Sequence, residues 1–130
     1  MPDPTITMSD ILEASAGRLR KQLYVVFTRA ANGLGPIMAN IAPHLQFQDE
    51  LEAKGIMFGA GPLWNLGEDH WEGEGMVIIR AESAAEADKI AASDPMHQSG
   101  ARTYTIRPWL LNEGTLTVKL TYSDGKREII

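Results

Sequence analysis

The stretch "GIMFGAGPLWNLGEDHWEGEGMVIIRA", residues 55–81, decides the fold. Its two ends are rich in β-formers and its middle is polar and glycine-rich, so it predicts a strand over 55–63, a loop over 64–75 and a second strand over 75–81. Two strands in succession with helical patterns on either side break the strand–helix alternation of a parallel sheet. Upstream, "QLYVVFTR" (22–29) reads as a strand, "AANGLGP" as a breaker loop, and residues 36–54 as a helix stopped by Gly55. Pro43 marks a kink in that helix or its true first turn. Downstream, Ser83 with Glu86 three residues on is a capping box that opens a second helix. "RTYTIRPWLL" (102–111) is the fourth strand, and Pro108 suits a sheet edge. The order β-α-β-β-α-β predicts an α+β, ferredoxin-like antiparallel sheet with both helices on one face.

Outside this frame, "TMSDILEASAGRLRKQ" predicts an N-terminal helical extension with Thr7 as N-cap and Asp10 answering it, and with Leu19 on the same side as Ile11. At the other end, Leu116, Val118, Leu120 and Tyr122 alternate with polar residues before Asp124-Gly125, which predicts a C-terminal β-hairpin. The expected organisation is an extension over 1–21, a central domain over 22–112 and a hairpin over 113–130. Tyr24 to Phe27 and Met76 to Ile79 are apolar at successive positions, so these strands offer apolar side chains to both faces. Helices cover one face; a second copy of the chain is the simplest cover for the other, which predicts a homodimer through the sheet.

The chain has 130 residues, 44% of them hydrophobic, enough for one compact core. Its apolar runs are too short to cross a bilayer, and "MPDPTITMSD" lacks the regions of a secretory signal, so a soluble cytoplasmic protein is expected. With no cysteine there is no disulfide, thiolate metal site or thiol nucleophile. A net charge of -5 without a basic cluster beyond "RLRK" argues against a nucleic-acid footprint and leaves small molecules or proteins as the expected partners.

For chemistry, His44 shares a helical face with Phe47, Gln48 and Leu51, and Asp94 continues the face of Ala87 and Ile90. Both are expected to point inward, where an unpaired charge is costly, so the two are expected to meet. A first-turn position favours a neutral imidazole for His44, and Pro95 should end the second helix by Ser93, leaving Asp94 beside its negative end. A carboxylate on one ring nitrogen leaves the other free to move a proton, although such pairs are more commonly hydrogen-bonded core pairs. His97 reads as a loop histidine or a residue lining the site. Tyr24 and Trp64 are candidates for substrate contact, Trp64 and Trp71 as pocket walls, a lid or interface packing. The single histidine among the acids of "GEDHWEGE" has no ligand spacing, so no metal is expected. No glycine phosphate fingerprint precedes a helix and no GxSxG elbow occurs, which leaves chemistry without a cofactor.

The segments "YVVF", "PHLQFQDELEAKGIMFGAGPL", "GMVIIRAESAAEADKIAASDPMHQSG" and "YTIRPW", in that order over roughly residues 22–109, resemble the YCII-related proteins of the dimeric α+β barrel superfamily. The resemblance implies a ferredoxin-like fold, dimerisation through the sheets and an active-site pair of His and Asp that maps onto His44 and Asp94. Members and cousins act on small cyclic molecules without a cofactor, by dehydrochlorination of chlorinated hydroxyhydroquinones or isomerisation of muconolactones. The chain departs from the pattern before Lys21, in the 64–75 loop, after Glu113, and at Met96, where an aromatic is frequent. The expectation is a cofactor-independent lyase or isomerase for a small cyclic or aromatic metabolite, with His44 as base and Asp94 orienting it. The alternative is a non-catalytic small-molecule-binding or accessory dimer of the same fold.

Overall fold

The computed structural model describes residues 2–130. The backbone divides into two compact units, Gln22–Leu110 and a smaller one that combines Met1–Lys21 with Leu111–Ile130.

The larger unit is built on a four-stranded antiparallel sheet of β1 (Lys21–Ala30), β2 (Met57–Trp64), β3 (Trp71–Ile79) and β4 (Arg102–Leu111), in the order β2-β3-β1-β4. The order is that of the split β-α-β motif, and the ferredoxin-like expectation holds. β1 pairs with β3 from Tyr24↔Ile79 to Thr28↔Gly75. Cross-strand partners share a face, so Tyr24, Val26, Val77 and Ile79 form one side. The helices cover that side: Ala87 and Ala91 are buried against Tyr24, Val26 and Ile79, with Ile90, Tyr104 and Ile106 packed around them. Pro108 lies in β4, at a sheet edge, where a residue without an amide is best tolerated.

The reading of residues 64–75 as a loop is corrected. β3 begins at Trp71, and Trp64 pairs with Trp71 across the hairpin, so only 65–70 connect the strands. Composition suggests loop there because Gly and Glu are poor strand formers, but pairing to β2 overrides that preference. The turn is organised by Asn65, whose side-chain oxygen accepts from the amides of Asp69 and His70. Gly73 within β3 has φ +87, a left-handed value, and a Cβ there would lie 2.6 Å from Cδ1 of the fully buried Ile37.

The first helix predicted in the domain is two helices, α2 (Gly35–Ala39) and α3 (Ile41–Ala53), separated at Asn40. Pro43 falls in the first turn of α3, where its absent N–H is not needed. Next comes α4 (Ala84–Ala92), capped by the Ser83 hydroxyl on the Glu86 amide. The reciprocal bond goes one residue further back than expected, from the Glu82 amide to the Glu86 carboxylate. A short α5 (Pro95–Gln98) follows, absent from the sequence reading because it spans one turn.

In the smaller unit, α1 (Met8–Ala14) carries the expected Thr7–Asp10 capping box but stops well short of Leu19. Gly17 and Arg20 both take positive φ and turn the chain. Asn112 joins the two terminal segments, donating to the Ser15 hydroxyl at 2.9 Å and accepting from the Arg20 amide at 3.2 Å. β5 (Val118–Leu120) and β6 (Arg127–Ile129) form the expected hairpin. Among the described residues no helix is long and apolar enough to cross a membrane.

Candidate functional site

His44 sits one turn into α3, its amide bonded to the Asn40 carbonyl, and the helix phase puts it with Leu51 on the buried face. Asp94 follows α4 and is the N-cap of α5. The sequence reading placed it beside the negative end of α4; the structure instead gives its Oδ1 the amide of Met96 at 2.8 Å. Pro95 explains this: it forbids α backbone at Asp94, which takes φ -64 and ψ 128, and then starts the next turn.

The two side chains meet. His44 Nδ1 lies 2.9 Å from each carboxylate oxygen of Asp94, and both residues are buried. A carboxylate only accepts, so Nδ1 donates to Asp94, and in the neutral tautomer that this contact selects the basic atom is Nε2. Nε2 has no partner in the protein. No buried side-chain nitrogen or oxygen among the described residues lacks one, so Nε2 reaches open space.

That space is a cavity of about 470 Å³ between α3 and the sheet. His44, Leu45 and Gln48 line it from the helix; Thr28, Val77 and Arg102 line it from the strands. Trp64, expected to contact substrate, lines it while remaining 64% exposed, and Trp71 forms another part of the wall. Trp71 is anchored there, its indole N–H donating to the Glu74 carbonyl at 2.7 Å, and it packs on the cluster of Ile37, Met96 and Ala101. Here it stands as a wall of the cavity.

Two expected contacts fall elsewhere. Tyr24 is buried in the core against α4 and does not line the cavity. Its position on β1 places it on the helix-covered face but too far along the strand. His97 is no loop histidine: it belongs to α5, its Nδ1 donates to the Ala91 carbonyl at 2.7 Å, and its Nε2 lies 2.8 Å from the Thr28 hydroxyl. Burial holds its pKa below the ordinary value, with the Ala91 bond opposing. The neutral Nδ1–H form satisfies both contacts if Thr28 donates, which leaves the Thr28 oxygen free to accept from the cavity. His70, in the hairpin turn, is engaged by Glu72 and Asp69, which raise its pKa.

The sequence reading missed Arg102. It is buried and lines the cavity, although nothing around it resembles a motif. The signal was alternation: Arg102 lies two residues before Tyr104 and four before Ile106, both on the helix-covered face.

A basic imidazole nitrogen backed by a carboxylate thus opens on a largely apolar cavity beneath a ferredoxin-like α+β sheet. The particular family follows from comparison with known proteins. The YCII-related domain matches residues 23–110, and the chain belongs to that family. A relative, the uncharacterized protein YjpA of Bacillus subtilis (strain 168), is 31% identical over 74 residues, covering 57% of this chain and 80% of its own. Among solved structures, 5-chloro-2-hydroxyhydroquinone dehydrochlorinase (TftG) from Burkholderia phenoliruptrix AC1100, in complex with 2,5-dihydroxybenzoquinone, is similar with a TM-score of 0.58 and 22% identity. The match covers 67% of this chain and 92% of that one. At that identity the likeness establishes the fold alone, the ferredoxin-like antiparallel sheet with its helices.

Proposed function

We propose that the protein is a cofactor-independent lyase or isomerase, working in the cytoplasm as a homodimer on a small cyclic or aromatic metabolite. The domain that does this is residues 22–112, with 1–21 and 113–130 as extensions. One observation carries the reading: the His44–Asp94 pair presents an unpartnered Nε2 to a cavity large enough for a ring. Nε2 takes a proton from the substrate, and Asp94 stabilises the imidazolium that forms. In a lyase step a leaving group departs with its bonding electron pair, and the elements of an acid are lost. In an isomerase step the same proton returns at another atom of the ring. The family membership and the dehydrochlorinase fold relative agree with this class of chemistry.

The test is turnover of chlorinated hydroxyhydroquinones and muconolactones by the purified protein. His44→Gln should lower the rate by about 10²- to 10⁴-fold while the fold persists, as is typical of losing a general acid–base group. An unchanged rate in that variant overturns the role of His44. Binding of these compounds without any turnover favours a binding or accessory protein instead.

A further inference from the structure

We infer that the cavity selects anionic ring compounds, with the guanidinium of Arg102 holding a carboxylate or an equivalent anionic oxygen group beside His44. This rests on the reading of the cavity as the ligand site and adds the charge of what it takes. Arg102 is 6% exposed, and its Nε donates to the Gly73 carbonyl at 3.0 Å. The guanidinium carbon lies over the Trp71 ring, 5.7 Å from its centroid, within reach of a cation–π attraction. These contacts fix the position of the fork without neutralising it. Among the described residues no carboxylate lies within 4.0 Å of Arg102, the close acid–base pairs being those of His44 and His70.

The remaining donors are aimed at ligand. Neither terminal nitrogen of Arg102 bonds to a protein acceptor, and no buried side-chain nitrogen among the described residues is left unpartnered, so both keep some exposure, and Arg102 lines the cavity. Asp94 is the acid whose charge favours the guanidinium, but its oxygens are committed to His44 and the Met96 amide. Glu74, the one acid lining the cavity, is exposed to solvent. A buried cation is costly unless paired and hydrogen-bonded, and a two-oxygen anion matches the fork better than a neutral group does. Both Arg102 and His44 line one cavity, so a ring anchored by its anionic group would present its other atoms to Nε2.

Benzoate and benzamide, equal in shape and different in charge, are suitable probes. Titrations followed by calorimetry and by the NMR signals of the His44 ring and the Arg102 guanidinium should show benzoate bound roughly 10- to 100-fold tighter, the range expected for charged hydrogen bonds. Arg102→Gln should erase that preference, and Arg102→Lys should keep part of it. Equal binding of the two probes, a preference that survives in Arg102→Gln, or Arg102 signals that ignore bound benzoate overturns the inference while leaving the cavity as the ligand site. If neither probe moves the His44 signals at millimolar concentration, the cavity reading fails with it. Should Arg102→Gln fail to fold, the wild-type preference and the Arg102 signals decide the matter.

Discussion

His97 shows how one side chain changes meaning between sequence and structure. Its position after Asp94-Pro95 suggests an exposed loop, yet it is half-buried between Thr28 and the Ala91 carbonyl, with the Tyr104 ring tilted against it at 4.3 Å between centroids. Burial opposes its protonation most strongly, joined by the charges of Arg102 and His44, and together they outweigh the Ala91 carbonyl and Asp94, which favour it. A histidine whose folded pKa lies below the unfolded value of about 6.5 binds its proton more readily when the chain is unfolded. Its contribution to stability is therefore complete above that value and is lost as pH falls through it toward the folded pKa. Urea midpoints measured between about pH 7 and pH 5 should decline, and His97→Gln should flatten the decline. An identical slope in the variant would reject this assignment. Tyr104, its neighbour, is pushed up to about 12 by burial and by its 2.7 Å bond to Asp88, so it stays protonated and contributes no slope in this range. By contrast, the pairing of His44 with Asp94 was legible, because helical phase and the cost of lone buried charge both bring the two inward. Arg102 was not, since a single cation in a strand is normally solvated and only the fold shows it lining a cavity.

At the scale of elements, β3 decides the shape of the site. Its sequence, Trp-Glu-Gly-Glu-Gly, reads as loop, and the pairing to β2 that makes it strand is a long-range contact no local pattern reveals. Gly73 is its critical position: it combines a left-handed φ with a place where a Cβ would run into Ile37, Leu34 and Ala30, and its carbonyl holds Arg102. Gly73→Ala should cost roughly 1–3 kcal/mol or more in urea unfolding, through backbone strain and overpacking against a fully buried side chain. A loss below about 0.5 kcal/mol would mean that β3 shifts freely, which the buried Ile37 argues against. Helix boundaries were the least legible elements. Asn40 splits the first predicted helix, and one turn of α5 follows Asp94, because caps and prolines act within a few residues while apolar periodicity averages over many.

For the whole molecule, the sheet has a second face. Val25, Phe27, Met76 and Ile78 alternate with the helix-facing residues, and Phe27, Met76 and Ile78 are only partly buried in the single chain. Apolar side chains on such a face favour a partner sheet. Light scattering at micromolar concentration should report twice the mass of one chain, and a charged substitution, Met76→Glu, should halve it. A monomer that stays monodisperse would remove dimerisation from the proposed function. The topology itself was legible because it depends on element order, whereas the conformation of the termini, joined through Asn112, depended on contacts some ninety residues apart.

Asp94 ties these scales together. The oxygen that accepts from the Met96 amide also accepts from His44, so the direction of the imidazole is set by main chain as much as by side-chain packing. The proposed base is in effect bolted to the backbone at Pro95, and its aim follows that one turn of helix. Substitutions that loosen the turn, such as Pro95→Gly, are thus able to misalign the imidazole without touching the cavity wall. Where laboratory evolution of this protein changes rate but not ligand affinity, that turn is the place to look first.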